Sequence, residues 1–178
     1  YGPNAFSGPR GFGKSSLLAP LNAAVAGLVP HYPLEIKLRR RVIMFTEDRE
    51  QMSRIFESMI DDGYMDVTLA ELNRWVHLVD AERMKPSDVA ANADDLEKMW
   101  TPNQMVDGGT YPAGPLVVFD TISSGLELES ISDNSEIARE VNKLREALDG
   151  KAALLLVGHT AKDSGRSGQK MLGAQAWE

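Results

Sequence analysis

The run Gly8-Pro9-Arg10-Gly11-Phe12-Gly13-Lys14-Ser15-Ser16 fits the spacing G-x-x-x-x-G-K-[ST], which is that of a loop that wraps phosphate. Glycines let the backbone curl so that successive N–H groups point inward at an anion, and the helix that follows adds its positive end. Lys14 then reaches the outer phosphates and the Ser15 hydroxyl ligates Mg²⁺. The short segment Asn4–Ser7 precedes the run and an apolar-periodic stretch follows it, which is the strand–loop–helix setting this chemistry needs. The expected ligand is ATP or a related triphosphate, with Mg²⁺ as its metal.

Hydrolysis also needs a metal-holding carboxylate and a group that activates water. Pro115-Leu-Val-Val-Phe-Asp120 is an apolar strand ending in an acid, the pattern that places Asp120 beside the phosphate loop as a metal ligand. The next residue is Thr121, whereas many ATPases put their catalytic glutamate there. Arg41-Val-Ile-Met-Phe-Thr-Glu47 offers the missing acid at the tip of another apolar strand. In a parallel sheet the two tips share an edge, so Glu47 is expected to take a proton from the attacking water. A plainer role for Glu47 and Asp48 is to favour a helix start through its dipole. The strand Ala152–Gly158 ends at His159, which can donate a hydrogen bond in either protonation state and so report on the γ-phosphate. His31 and His77 have no partners at ligand spacing.

Five segments read as strands that hold these groups: Asn4–Ser7, Arg41–Thr46, Trp75–Asp80, Leu116–Thr121 and Ala152–Gly158. Near-continuous apolar runs of this kind suit strands buried on both faces. Helices are expected between them. Lys14–Leu28 puts Leu17, Leu18, Leu21, Val25 and Leu28 on one face, with Pro20 expected to kink it. Arg49–Ile60 carries Met52, Ile55, Phe56 and Ile60; Ser135–Leu148 carries Ile137, Val141, Leu144 and Leu148. Asp133 and Glu136 are spaced as a capping box for the latter, and Gly150 as its stop. The polar stretch Met84–Gly114 holds one helix near Ser87–Met99 and then a loop. The fold class is therefore α/β, a mainly parallel sheet with helices on both faces.

Composition narrows the function. With 178 residues, 43% of them hydrophobic, the chain can build one real core. The absence of cysteine excludes disulfides, thiolate metal sites and cysteine nucleophiles, and suits a cytoplasmic protein. No apolar run approaches the ~20 residues of a membrane span, and no secretion signal is read. A net charge of −7 argues against nucleic-acid binding by a broad basic surface. Any such contact has to come from a local basic loop. Lys162, Arg166 and Lys170, spaced among Ser and Gly, form one. The cluster Lys37, Arg39, Arg40 and Arg41 reads instead as solvent-facing charge.

GPRGFGKSS, RVIMFTED, LVVFD, VGHTAKD and GAQAWE occur in this order along nearly the whole chain. Together they resemble the RecA-type P-loop ATPases of the RepA-like hexameric replicative helicase group and related phage ATPases. The resemblance implies phosphate binding by Gly8, Pro9, Arg10, Gly11, Phe12, Gly13, Lys14, Ser15 and Ser16. It implies Mg²⁺ binding by Ser15 and Asp120, water activation by Glu47, and γ-phosphate sensing by His159. It also implies a sheet order in which the strand ending at His159 lies between the phosphate-loop strand and the Asp120 strand, with Trp75–Asp80 at the far edge.

The activity so implied is that of an ATP-driven motor in a homo-oligomeric ring, a hexamer, acting on single-stranded DNA in the cytoplasm without any membrane. Its channel-facing loops are Ile122–Asn134, which is acidic here, and Lys162–Lys170, from which Lys162 or Arg166 can alternatively reach a neighbouring subunit's nucleotide. Relatives continue past the GAQAW segment into further strands. Residues 1–178 are thus read as a single RecA-like core lacking the final ones. Two other activities fit the same motifs: a KaiC-like regulatory ATPase, and a RecA-like recombination ATPase that forms filaments on DNA.

Overall fold

The computed structural model describes residues 4–8, 13–33, 36, 39–99, 114–129 and 134–159. Its strands are β1 (Asn4–Gly8), β2 (Val42–Thr46), β3 (Val76–Asp80), β4 (Leu116–Asp120) and β5 (Ala153–His159). Its helices are α1 (Lys14–Val25), α2 (Arg49–Asp61), α3 (Leu69–Trp75), α4 (Pro86–Met99), α5 (Ile122–Gly125) and α6 (Asn134–Leu148). The strands form one five-stranded sheet in the order β1-β5-β4-β2-β3, every pair parallel. This is the order that the resemblance implied. All five carboxyl ends therefore lie along one edge.

Alternation along each strand sorts side chains into two cores. Ile43, Phe45, Val117, Phe119, Leu154 and Leu156 face the layer of α4 and α6, meeting Val89, Ala93, Ile137, Val141, Leu144 and Leu148. Val42, Met44, Val118 and Val157 face the other layer, meeting Leu18, Ala19, Ala23, Met52, Phe56 and Leu72 from α1, α2 and α3. Both faces of the central strands are dry, which is why they read as unbroken apolar runs. Phe45 and Phe119 stack across β2 and β4 with ring centroids 5.5 Å apart.

The helix boundaries differ from the sequence reading in instructive places. α1 contains Pro20 but ends at Val25, not Leu28. Gly27 takes φ 68°, and the N–H of Leu28 turns back to the Ala23 carbonyl at 2.8 Å, closing the helix end. Leu17, expected on the apolar face, is 50% exposed; the buried face of α1 is built from Leu18, Ala19, Asn22, Ala23 and Ala24. The sequence reading missed α3, whose Thr68 hydroxyl accepts the Glu71 N–H at 3.2 Å as an N-cap. Gly150 does end α6 with φ 71°. Glu136 is buried, and its Oε1 accepts the Glu129 N–H at 2.7 Å. Asp133 lies outside the described residues.

The arginine cluster is not solvent-facing charge either. Arg41 is 8% exposed, and the Arg39 guanidinium lies 3.4 Å over the Trp75 ring while its Nε donates to the Ala26 carbonyl. Arg40 donates to the Gly114 carbonyl at 2.6 Å. These side chains tie the end of α1, the end of α3 and the segment before β4 together at the edge of the sheet opposite the carboxyl ends, and Lys37 is outside the described residues. Among the described residues no helix is long and apolar enough to cross a membrane.

Candidate functional site at the carboxyl edge of the sheet

The site begins where β1 gives way to α1. Gly13 adopts φ 69°, a left-handed conformation that glycine reaches without a Cβ clash, and it directly precedes the first helical residue, Lys14. Lys14 is buried to 8% exposure, and Ser16 is exposed on the first turn. Gly8 closes β1; Pro9, Arg10, Gly11 and Phe12 lie outside the described residues.

Ser15 Oγ donates to Asp120 Oδ2 at 3.3 Å, joining residues 105 positions apart. Asp120 is 4% exposed at the end of β4, and the Asp120–Thr121 peptide is cis. Burial raises the Asp120 carboxyl above the ordinary aspartate range; the Ser15 hydrogen bond opposes the rise, the Glu47 charge adds to it, and Lys14 opposes it. A buried carboxylate so disfavoured, with a hydroxyl oxygen at hand, is the donor set a hard divalent cation fits. Among the described residues no group of three or more His, Asp or Glu could enclose a metal. A cation held by one hydroxyl and one carboxylate, its remaining positions filled by water and phosphate, is the Mg²⁺ pattern.

Glu47 stands at the neighbouring tip. Thr46 pairs in register with Asp120, and the Glu47 N–H donates to the Asp120 carbonyl at 3.2 Å. The Glu47 side chain is exposed. On the other side of β4, Asp120 is in register with Val157, so His159 stands two residues further along β5, level with Gly8. Ser15, Asp120 and Glu47 are thus brought together directly, and the backbone at His159 is placed beside the end of β1.

A family model described as an AAA domain matches residues 2–165. The chain belongs to this AAA domain family. No curated protein matches it. The fold of this AAA domain is similar to that of a DnaB-like replicative helicase, whose structure was solved together with its interactions with primase. The TM-score is 0.63 at 9% sequence identity, covering 98% of this chain and 44% of that one. The AAA domain therefore spans less than half the length of that protein. A RecA-type P-loop architecture accounts for both likenesses. Within it, Thr121 follows the Asp120 strand, and among the described residues Glu47 is the carboxylate at an adjoining strand tip.

Beside Glu47, the sequence marked Asp48 as an acid at a helix start but did not single out Thr46, Arg49 or Asp80. Thr46 is 2% exposed and its Oγ1 accepts the Asp48 N–H at 3.3 Å; Asp48 Oδ1 caps α2 by accepting the Gln51 N–H at 2.8 Å. Arg49 pairs with Asp80 at the tip of β3 at 3.6 Å. An Asp directly before a charged amphipathic run was the available signal for the cap. Lys162, Arg166 and Lys170 lie outside the described residues.

Proposed function

We propose that this AAA domain is the ATP-hydrolysing motor of a ring-forming, RepA- or DnaB-like replicative helicase that acts on single-stranded DNA. The observation that supports it best is the 3.3 Å contact of Ser15 with Asp120 beside Glu47 on the next strand tip. The amides around Gly13 and the Lys14 ammonium hold the triphosphate. Ser15 and Asp120 hold Mg²⁺. When bound, that ion would supply positive charge that offsets the phosphates' negative charge. Glu47 takes the proton of a water that attacks the γ-phosphorus; the bond to the bridging oxygen breaks and ADP leaves with the electron pair. His159, on β5, donates a hydrogen bond to the γ-phosphate and registers its loss. Lys162, Arg166 and Lys170 meet the DNA backbone on a loop of the assembled hexamer, where several copies concentrate what one acidic chain lacks.

The net charge of −7 favours a second reading, a KaiC-like regulatory ATPase in which hydrolysis times assembly and no strand moves. A RecA-like filament on DNA is the third. Steady-state ATPase rates with and without single-stranded DNA at low salt separate them. The motor reading requires stimulation that fades as salt rises; a rate indifferent to DNA at every salt concentration removes it. Electron micrographs with ATP then distinguish a closed ring from a filament.

A further inference from the structure

The tip of β2 is held by backbone bonds from both sides. The Thr46 carbonyl accepts the Ala81 N–H at 2.9 Å from the segment after β3, and the Glu47 N–H donates to the Asp120 carbonyl at 3.2 Å. Thr46 and Glu47 are thereby gripped from both flanking strands. Two side chains fix the next bend: Thr46 Oγ1 takes the Asp48 N–H at 3.3 Å, and Asp48 Oδ1 takes the Gln51 N–H at 2.8 Å. The exposed Arg49–Asp80 pair, at 3.6 Å, also reaches from the start of α2 to the end of β3. Between these points the Glu47 side chain is exposed.

We infer that Thr46 and Asp48 are positioning residues for hydrolysis, acting through Glu47. A general base must sit within hydrogen-bond reach of the proton it removes, and a misplacement of about 1 Å can cost on the order of 10²-fold in rate. A hydroxyl-gated bend immediately before the base, closed by a helix cap immediately after it, sets the backbone direction from which that carboxylate departs. The Thr46 side chain is buried, and its hydroxyl is spent on the bend itself. This inference rests on Glu47 being the base.

The test uses Thr46→Val, which keeps shape and loses the hydroxyl, and Asp48→Ala, which loses the cap. Thr46→Ser and Asp48→Asn retain each hydrogen bond. The ATPase rate at saturating ATP is expected to fall about tenfold in the first two. Their affinity for a fluorescent ATP analogue should stay within about twofold of the wild type, because the phosphate loop is untouched. The rate should be restored in the two hydrogen-bonding variants, T46S and D48N. On a Glu47→Gln background, Thr46→Val is expected to add no further loss, because it has no base left to misplace. A normal turnover in both T46V and D48A overturns the inference and leaves Glu47 as base. So does an equal further loss on the Glu47→Gln background, which assigns the residues a structural role. Undiminished turnover in Glu47→Gln alone removes the reading of the base, and this inference with it.

Discussion

Replacing Gly125 by alanine tests how tightly the segment after Asp120 is seated. Gly125 ends α5, and a Cβ added there would lie 2.3 Å from Phe119 Cε1 and 3.0 Å from Cζ. Carbon atoms in contact settle at about 3.5–4.0 Å, so the ring must retreat by more than about 1 Å or α5 must lift. Neither is easy. Phe119 is 0% exposed and stacked on Phe45 at an interplanar angle of 22°, inside a core packed as densely as an organic crystal. Overpacking of this kind costs about 1–3 kcal/mol. For a domain of this size each kcal/mol moves the melting temperature by about 2–4 °C, so a drop of roughly 2–12 °C is expected. Because Phe119 is bonded to Asp120, affinity for Mg²⁺–ATP should also weaken. Near-UV circular dichroism melts and a fluorescent-nucleotide titration measure the two effects. A melting temperature within about 1 °C of the wild type would refute the close seating of α5 on Phe119.

Lys14→Ala should abolish detectable binding of a fluorescent ATP analogue; affinity retained within a few-fold would move the phosphate site elsewhere. Asp120→Asn should stop Mg²⁺-dependent turnover yet raise the melting temperature of the nucleotide-free protein near neutral pH. The sign follows from the raised carboxyl: the folded state favours the protonated form. That stabilisation is complete below the unfolded aspartate pKa and is lost as pH rises through the folded one. The advantage of Asn over Asp should therefore shrink on acidification, and a melting temperature lower than the wild type's at pH 7 contradicts it. Asn22 is 0% exposed and donates to the Met44 sulfur at 3.3 Å, and its Oδ1 has no hydrogen-bond partner among the described residues. Asn22→Leu should accordingly raise stability by about 1 kcal/mol in urea unfolding, and a loss of that size would show that the amide has a partner such as buried water.

What the sequence made legible was whatever a single stretch of chain determines. β2, β4 and β5 announced themselves because both their faces are buried, and their ends fell within one residue of expectation. Ile137, Val141, Leu144 and Leu148 are all buried, as their spacing required. The seven-residue α3 escaped because it is too short to show a period, although Thr68 and Glu71 marked its start. Leu17 misled because hydrophobic spacing cannot say which side of α1 meets the sheet; the small residues Ala19, Ala23 and Ala24 decide that. The arginines beside Trp75 and the carboxylate of Glu136 depend on partners supplied by other elements, so their burial was invisible locally.

The site divides in the same way. The glycine-rich run before α1 and the strand ends at Asp120 and Glu47 were readable because strand tips and glycine spacing are local features. Their adjacency depended on strand order, which the motifs supplied only through their resemblance to known ATPases. The backbone bonds that hold Thr46 and Glu47 were missed, since they run to Asp120 at the end of β4 and to Ala81 just after β3, which folding brings alongside.

The central claim is that Glu47 activates water on a triphosphate gripped by the loop before α1 and by Asp120. A rapid-quench measurement on Glu47→Gln with Mg²⁺ and radiolabelled ATP tests it most directly. ATP should bind with near-normal affinity and stay uncleaved, its single-turnover rate reduced by about 10²–10⁴. Cleavage of the bound ATP at close to the wild-type rate would contradict the account.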